Sequence, residues 1–278
     1  NIIRPRTISG ALVSYINSLD KFKQAVKASK KIDEEVIFEL SQIEMLTQLM
    51  KVCAIPNLEI EALLTAAREY LLKNYLKLKV TKELKAFCQC LAVNCFLTDY
   101  VFSETESEVK LIKNLEEKLM KQILKNHEIS NFEATLLCCY RQVYSWESAR
   151  FLEKSLSELV YLVCIDEPLK ELKMSSFIPQ KTKVIDDISL RVKAQYEAKP
   201  YPRWTQCFIG PKSISIDHYF KQEKLRAYNK QIFLNKAPQI LVAGCGSGQH
   251  SIETASKFSA CQVERPFCYS NFFIISIN

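Results

Sequence analysis

The chain has 278 residues, 48% of them hydrophobic and 25% charged, a balance that supports a buried core and excludes a disordered or low-complexity protein. The formal charge of +7 rests on 29 Lys against 9 Arg, and no basic run is interleaved with aromatics, so nucleic-acid binding is disfavoured. Eleven cysteines, several inside apolar helical patterns, fit a reduced cytoplasmic setting without disulfides, and no apolar run approaches the roughly 18 residues of a membrane span.

Helical periodicity dominates from Asp33 to Cys164, which predicts an almost wholly helical region. Pro56 separates its first two segments. Leu58 to Leu78 places Leu63, Leu64, Ala67, Tyr70, Leu71 and Tyr75 on one packing face, and Thr81 offers an N-cap for a helix running through Tyr100. Ser103 to Asn126 reads as a charged amphipathic helix. Ser130 with Glu133 reads as a capping box opening the helix that carries Cys138, Cys139 and Tyr140, and a further apolar stretch runs from Phe151 to Cys164. The pairs Cys88 with Cys90 and Cys138 with Cys139 lack both the CxxC step and a nearby His, so they read as buried thiols rather than zinc ligands. Phe96, Tyr100, Phe102 and Trp146 read as core aromatics.

Around Pro179 the period is lost, which predicts a helical region over 1–178, a linker over 179–187 and a second domain over 188–278. That domain opens with a short helix, Ile188 to Glu197. Pro200-Tyr201-Pro202-Arg203-Trp204 follows, and its two prolines enforce an extended path. Beyond Pro238, the run Gln239 to Ala243 reads as a buried strand, with a helical pattern from Gln249 to Phe258.

Between that strand and that helix lies the strongest local signal in the chain. Glycine occurs at 10, 210, 244, 246 and 248, so three of the five fall within five residues. A sequence that avoids glycine elsewhere is using backbone permissiveness at one place. A strand, a glycine-rich turn and a helix start make a ligand-binding geometry, in which free N–H groups and the helix dipole favour a negatively charged group. A nicotinamide site would place its third glycine at Gln249. The spacing here is GxGxG, the form typical of methyltransferases that bind S-adenosylmethionine.

Four stretches carry a resemblance: Ile3-Arg4-Pro5 with Ile8 to Leu12, Leu91 to Phe102 (LAVNCFLTDYVF), Gln195 to Trp204 (QYEAKPYPRW) and Ile240 to His250 (ILVAGCGSGQH). They resemble a bacterial family in which tetratricopeptide repeats precede a helical region and a class I S-adenosylmethionine-dependent methyltransferase domain. The resemblance implies a mainly α fold followed by the first strand, turn and helix of a Rossmann-like α/β domain. It implies a cofactor, S-adenosyl-L-methionine, lined by Ala243, Gly244, Cys245, Gly246, Ser247, Gly248, Gln249 and His250. Ala243 stands where many such enzymes keep an acidic residue.

Tyr196, Tyr201 and Trp204 are candidates to cover that cofactor, with Arg203 meeting a carboxylate; the competing reading makes these aromatics staples of the linker. His250 is a candidate base, against the alternative of a first-turn residue bonded to backbone or solvent. No metal is implied, no catalytic residue or methyl acceptor is identified, and the helical region is expected to recruit a protein partner. The rival is a non-enzymatic helical scaffold with a vestigial turn.

The ribose carboxylate is expected about four residues past Val263, where the chain instead reads Glu264-Arg265-Pro266-Phe267. Glu264 is a poor substitute if Pro266 breaks the strand it needs. The chain is therefore expected to be a fragment, truncated at both ends. It is family-like to about 263, with an atypical tail over 264–278 that adds no strand, and on its own it is not expected to transfer a methyl group.

Overall fold

The computed structural model describes residues 5–19, 22, 32–175, 177, 186–198, 203–207, 209, 212–234, 237–242, 247–259, 261–266 and 272–276. Contacts divide the chain into two units, the first running to Lys173 and the second from Met174. Of the linker expected over 179–187, only Asp186 and Asp187 fall within the described residues.

The first unit is helical throughout. Its elements are α1 (Pro5–Ser18), α2 (Glu34–Gln42), α3 (Glu44–Val52), α4 (Leu58–Asn74), α5 (Lys82–Leu97), α6 (Glu106–Leu124), α7 (Asn131–Cys138), α8 (Glu158–Tyr161) and α9 (Glu167–Ser175). No strand occurs among its described residues, as the periodicity from 33 to 164 predicts. Short polar side chains start these helices by taking up orphan first-turn amides. Asp33 accepts from Val36 N at 2.9 Å, Asn57 from Ile60 N at 2.9 Å and Thr81 from Leu84 N at 3.2 Å.

The expected capping box at Ser130 and Glu133 is not formed. Ser130 makes no side-chain cap bond, and the Glu133 carboxylate is drawn away from the Ser130 amide to Lys118, whose Nζ lies 2.6 Å from its Oε1. The capping box sits instead at Thr105 and Glu108, at the start of α6.

The middle of this unit is α5. From Leu91 to Leu97 every residue is buried, and α2, α3, α7 and α8 pack around it. Its last two turns, surrounded on all sides, carry no polar stripe and are apolar but for Asn94, while its first turns keep Lys82, Glu83 and Lys85 exposed. It ends at Leu97, short of Tyr100, because Asp99 and Tyr100 turn into the left-handed region at φ 54° and 57°.

Further on, residues Leu162–Asp166 form one turn of π-helix between α8 and α9. Pro168 supplies the reason: it has no N–H to give the Cys164 carbonyl, so the i→i−4 ladder is already broken there.

The second unit contains α10 (Asp187–Ala198), α11 (Ile216–Gln222), β1 (Gln239–Leu241), α12 (Gln249–Lys257), β2 (Gln262–Pro266) and β3 (Phe272–Ser276). The strands form one sheet in the order β1-β2-β3. β1 pairs parallel with β2, with Gln239 opposite Gln262 and Leu241 opposite Glu264, and β2 pairs antiparallel with β3, with Pro266 opposite Phe272. A parallel pair needs a crossover, and α12 supplies it.

Three expectations are corrected here. The tail contributes strands, β2's last residues and β3. Pro266 does not break β2, because it lies two positions past the last β1 pair, where the strand has one neighbour and a missing N–H is tolerated. And β1 is not a buried strand: Leu241 is 61% exposed, since β1 is the sheet's edge. Among the described residues of the unit, Val242, Ala255, Cys261 and Val263 form one buried apolar cluster, with Ile240 and Phe258 packed against them.

Candidate functional site

The glycine cluster lies between β1 and α12. Of its predicted contacts, Ala243, Gly244, Cys245 and Gly246 fall outside the described residues, as does Tyr201; Tyr196 lies on α10. The remaining six, Arg203, Trp204, Ser247, Gly248, Gln249 and His250, are placed. Gly248 is the N-cap of α12, with φ 93° and ψ −9°, a left-handed conformation that a Cβ strongly disfavours. It makes no side-chain cap bond; its carbonyl instead accepts from Ser251 N at 3.0 Å and from Ile252 N at 3.2 Å. Gln249 and His250 then open the helix. His250 is exposed, and its carbonyl accepts from Thr254 Oγ1 at 2.7 Å.

Trp204 comes to this turn from forty residues earlier in the chain. Its indole Nε1–H donates to Ser247 Oγ at 3.0 Å. Three residues on, the Cys207 thiol donates to the Gln249 carbonyl at 3.6 Å. Arg203 is half-buried beside them in sequence. The structure thus brings Trp204, Cys207, Ser247 and Gln249 together at the first turn of α12.

The other end of α12 is fastened too. Ile214 N donates to the Lys257 carbonyl at 2.9 Å, and Ser259 N donates to the Ile214 carbonyl at 3.0 Å. The Lys257 ammonium stands 3.7 Å from the centroid of the Tyr219 ring, which meets Phe258 edge-on at 5.2 Å.

Sequence reasoning missed two members of this region. Cys207 gave no signal, since a lone Cys matches no motif. Ser251, three residues into α12, is fully buried, and among the described residues its hydroxyl has no hydrogen-bond partner, whereas buried hydroxyls are ordinarily satisfied. A serine at that spacing looks like any helical polar residue.

A second buried polar centre lies in the first unit, and the sequence reading did not anticipate it. Arg68 sits on the α4 face otherwise made of Leu63, Leu64, Ala67 and Leu71, and is 0% exposed. Its Nη2 donates to the Ser103 carbonyl at 2.7 Å and stands 3.8 Å from Glu108 Oε1, while its guanidinium carbon lies 4.1 Å from the Tyr140 ring centroid. Glu108 is 1% exposed; its Oε1 accepts from Tyr140 OH at 2.7 Å and its Oε2 from Thr105 N at 2.7 Å. Burial, followed by the bond to Glu108, pushes the Tyr140 phenol far above its ordinary value.

Thiols surround this centre. Cys139 Sγ donates to the Thr135 carbonyl at 3.5 Å and reaches the Cys88 carbonyl at 3.7 Å. Burial holds the Cys138 thiol up at about 12 and that of Cys90 at about 11. These cysteines are inert, closed in as their apolar helical setting predicts. Every described cysteine is free, and among the described residues no group of three or more His, Cys, Asp or Glu could hold a metal ion.

Among the described residues no helix is long and apolar enough to cross a membrane. No family model matches the chain, and no curated protein and no solved structure matches it.

Proposed function

We propose that the second unit binds S-adenosyl-L-methionine as part of a Rossmann-like methyltransferase domain, and that the helical unit before it recruits or positions a protein partner. The observation that carries the reading is the succession β1, glycine cluster, α12 and parallel β2, with Gly248 left-handed at the head of α12. The residues present fit the cofactor at one wall. The Gln249 and His250 amides at the head of α12 and the buried Ser251 hydroxyl would offer hydrogen bonds to its polar groups, and glycines allow close backbone approach. At the second wall the fit is looser. Glu264 stands on β2 opposite Leu241, whereas the position expected to hold the ribose carboxylate is Phe267.

Ala243 to His250 would hold the cofactor from the β1 side, with Tyr196, Tyr201, Arg203 and Trp204 approaching from the preceding segment. The cofactor supplies a methyl group made electrophilic by its sulfonium. The protein's part is to orient it toward the acceptor, and proximity supplies much of the rate. The free thiols accord with a reducing compartment.

Calorimetric titration with S-adenosylmethionine tests the reading. The chain should bind, and Gly246→Val should abolish binding, because a β-branched side chain occupies space the cofactor needs and resists the turn's backbone angles. Unchanged affinity in the variant would refute the assignment. The rival, a helical scaffold without chemistry, draws on the extensive apolar core of the first unit. Absence of any cofactor binding favours it.

A further inference from the structure

Lysines gather at one end of the helical unit, and two of them stand where their own helix disfavours them. α4 and α6 pack side by side and run in the same direction. Arg68 on α4 lies 3.8 Å from Glu108 near the start of α6. Two turns later, just past the end of α4, the Tyr75 phenol is raised by burial and then by the Glu133 carboxylate, against the opposing Lys118 ammonium of α6. The two helices therefore finish at the same end of the unit, where the connection out of α4 and the turn out of α6 both lie. Exposed there are Lys77, Lys79, Lys82 and Lys85 from the first and Lys121 and Lys125 from the second, none of them in an ion pair among the described residues.

A cation near the last turn of a helix needs no further reason, because the dipole favours it, and Lys121 and Lys125 are accounted for in that way. Lys82 and Lys85 are not. They occupy the opening turns of α5, behind the Thr81 cap, where unbonded amides make the helix end positive. Folding gives no reason for cations there. The same end leaves large apolar side chains in water: Leu76 is 75% exposed and Leu124 78%, and each is followed directly by a lysine. A single exposed leucine is ordinary on a protein surface, but two set among six unpaired lysines define a surface that is both cationic and apolar.

The kind of cation decides between anionic partners. Surfaces that recognise a shaped protein partner favour arginine and aromatic rings, whose fork and rigid plane demand matching geometry. Between Arg68 and Arg141 the chain has ten lysines and no arginine. Point charges on flexible stems, beside exposed leucine, suit a partner that is anionic, apolar just beneath its surface and without fixed shape, which describes a bilayer carrying acidic lipids. We infer that this end of the helical unit docks on an anionic membrane surface, with Leu76 and Leu124 entering below the headgroups and the six lysines meeting them. Lying on a bilayer needs no spanning helix. The inference goes beyond the function proposed above, and its test does not involve the cofactor.

Sedimentation of the whole chain with vesicles reads the association. Vesicles of phosphatidylcholine and phosphatidylserine, mixed roughly three to one, should carry the chain down, and phosphatidylcholine alone should not. Raising the salt to about 0.5 M should release it. Lys79→Gln and Lys125→Gln should each weaken the partition roughly three- to fivefold, and the double variant by about the product, since the two lysines act independently on one surface. Lys79→Arg with Lys125→Arg should bind as the parent does, because charge alone is read at these positions. Leu76→Ala with Leu124→Ala should weaken binding about tenfold through lost apolar insertion. All four side chains are exposed, so the variants should keep the parent's circular-dichroism melt.

Failure to sediment with the anionic vesicles overturns the inference, as does equal sedimentation with phosphatidylcholine alone or binding indifferent to the two leucines. An equal loss from Lys212→Gln with Lys224→Gln, which removes the same charge from the second unit, would mean that net charge alone is read, and overturns it too. Poly-glutamate bound as tightly as the vesicles, with no dependence on Leu76 and Leu124, would assign the surface to an acidic polypeptide instead of a membrane.

Discussion

The two units handle awkward backbone in different ways. Among the described residues of the helical unit, those in the left-handed region are Asp99, Tyr100 and Asn126, none of them glycine; among those of the second unit they are Gly248 and Lys224. A large core can hold a non-glycine residue in a disfavoured conformation, because burial of many apolar groups outweighs about 1–2 kcal/mol of local strain. Gly248 takes the same conformation with no Cβ to strain, while Lys224 bears it at an exposed position.

The sharpest way to break this comparison is to attack the strength of the first unit at its buried ion pair. Arg68→Ala leaves the Glu108 carboxylate buried without its cation, and about 3–5 kcal/mol of stability should be lost, as for other buried pairs stripped of one partner. Urea unfolding followed by far-ultraviolet circular dichroism measures it. Trp204 emission, recorded in the same titration on chains that also carry Trp146→Phe, should keep its own midpoint. A common shift of both signals would mean that the units unfold as one and that their cores should not be weighed separately.

A smaller effect follows from the thiols. Cys90 and Cys138 have folded values of about 11 and about 12 against an ordinary 9.0. The unfolded chain therefore releases these protons first as the pH rises, so unfolding becomes more favourable with pH. Their contribution is intact below about pH 9 and is lost progressively up to the folded values. The helical unit should lose stability between pH 9 and 11 in the circular-dichroism melt, and Cys138→Ala should flatten that slope. A slope that is the same with and without Cys138 would remove the thiol from the account.

The smallest effect tests the backbone argument itself. Lys224 is exposed at φ 54°, so Lys224→Gly should relieve strain and stabilise the second unit by up to about 1 kcal/mol. Asn126→Gly in the first unit should do less, because Asn already tolerates the left-handed region. Equal gains at the two sites would erase the distinction between the units.

How much of this was legible in the sequence follows physical range. The helices of the first unit, the Thr81 cap and the start of β1 and α12 depend on neighbours three or four residues away, and those are written locally. Arg68 was illegible for the opposite reason. Its partners are Ser103, Glu108 and Tyr140, and nothing near residue 68 announces them. The misplaced capping box is a case of competition: Ser130 and Glu133 have the right spacing, but Lys118 on the preceding helix outbids the local amide for the carboxylate.

The candidate site divides along the same line. The glycine cluster could be read directly, and the aromatic segment before it could be singled out, but the choice of Ser247 as the partner of Trp204 is a contact across 43 positions. The tail was misread because a proline was weighed without its place in the sheet; at the end of β2, with β1 already left behind, it costs little.

The edge position of β1 has a practical consequence for anyone handling this protein. Among the described strands, β1 has β2 as its one neighbour, so its far side presents amides and carbonyls in ladder register beside an exposed leucine. Such a row recognises any extended chain, its own kind included. Concentrating the sample should bring molecules together along this row before it disturbs the helices, so turbidity would rise while the helical signal stays constant, and a lysine at position 241 would keep the solution clear.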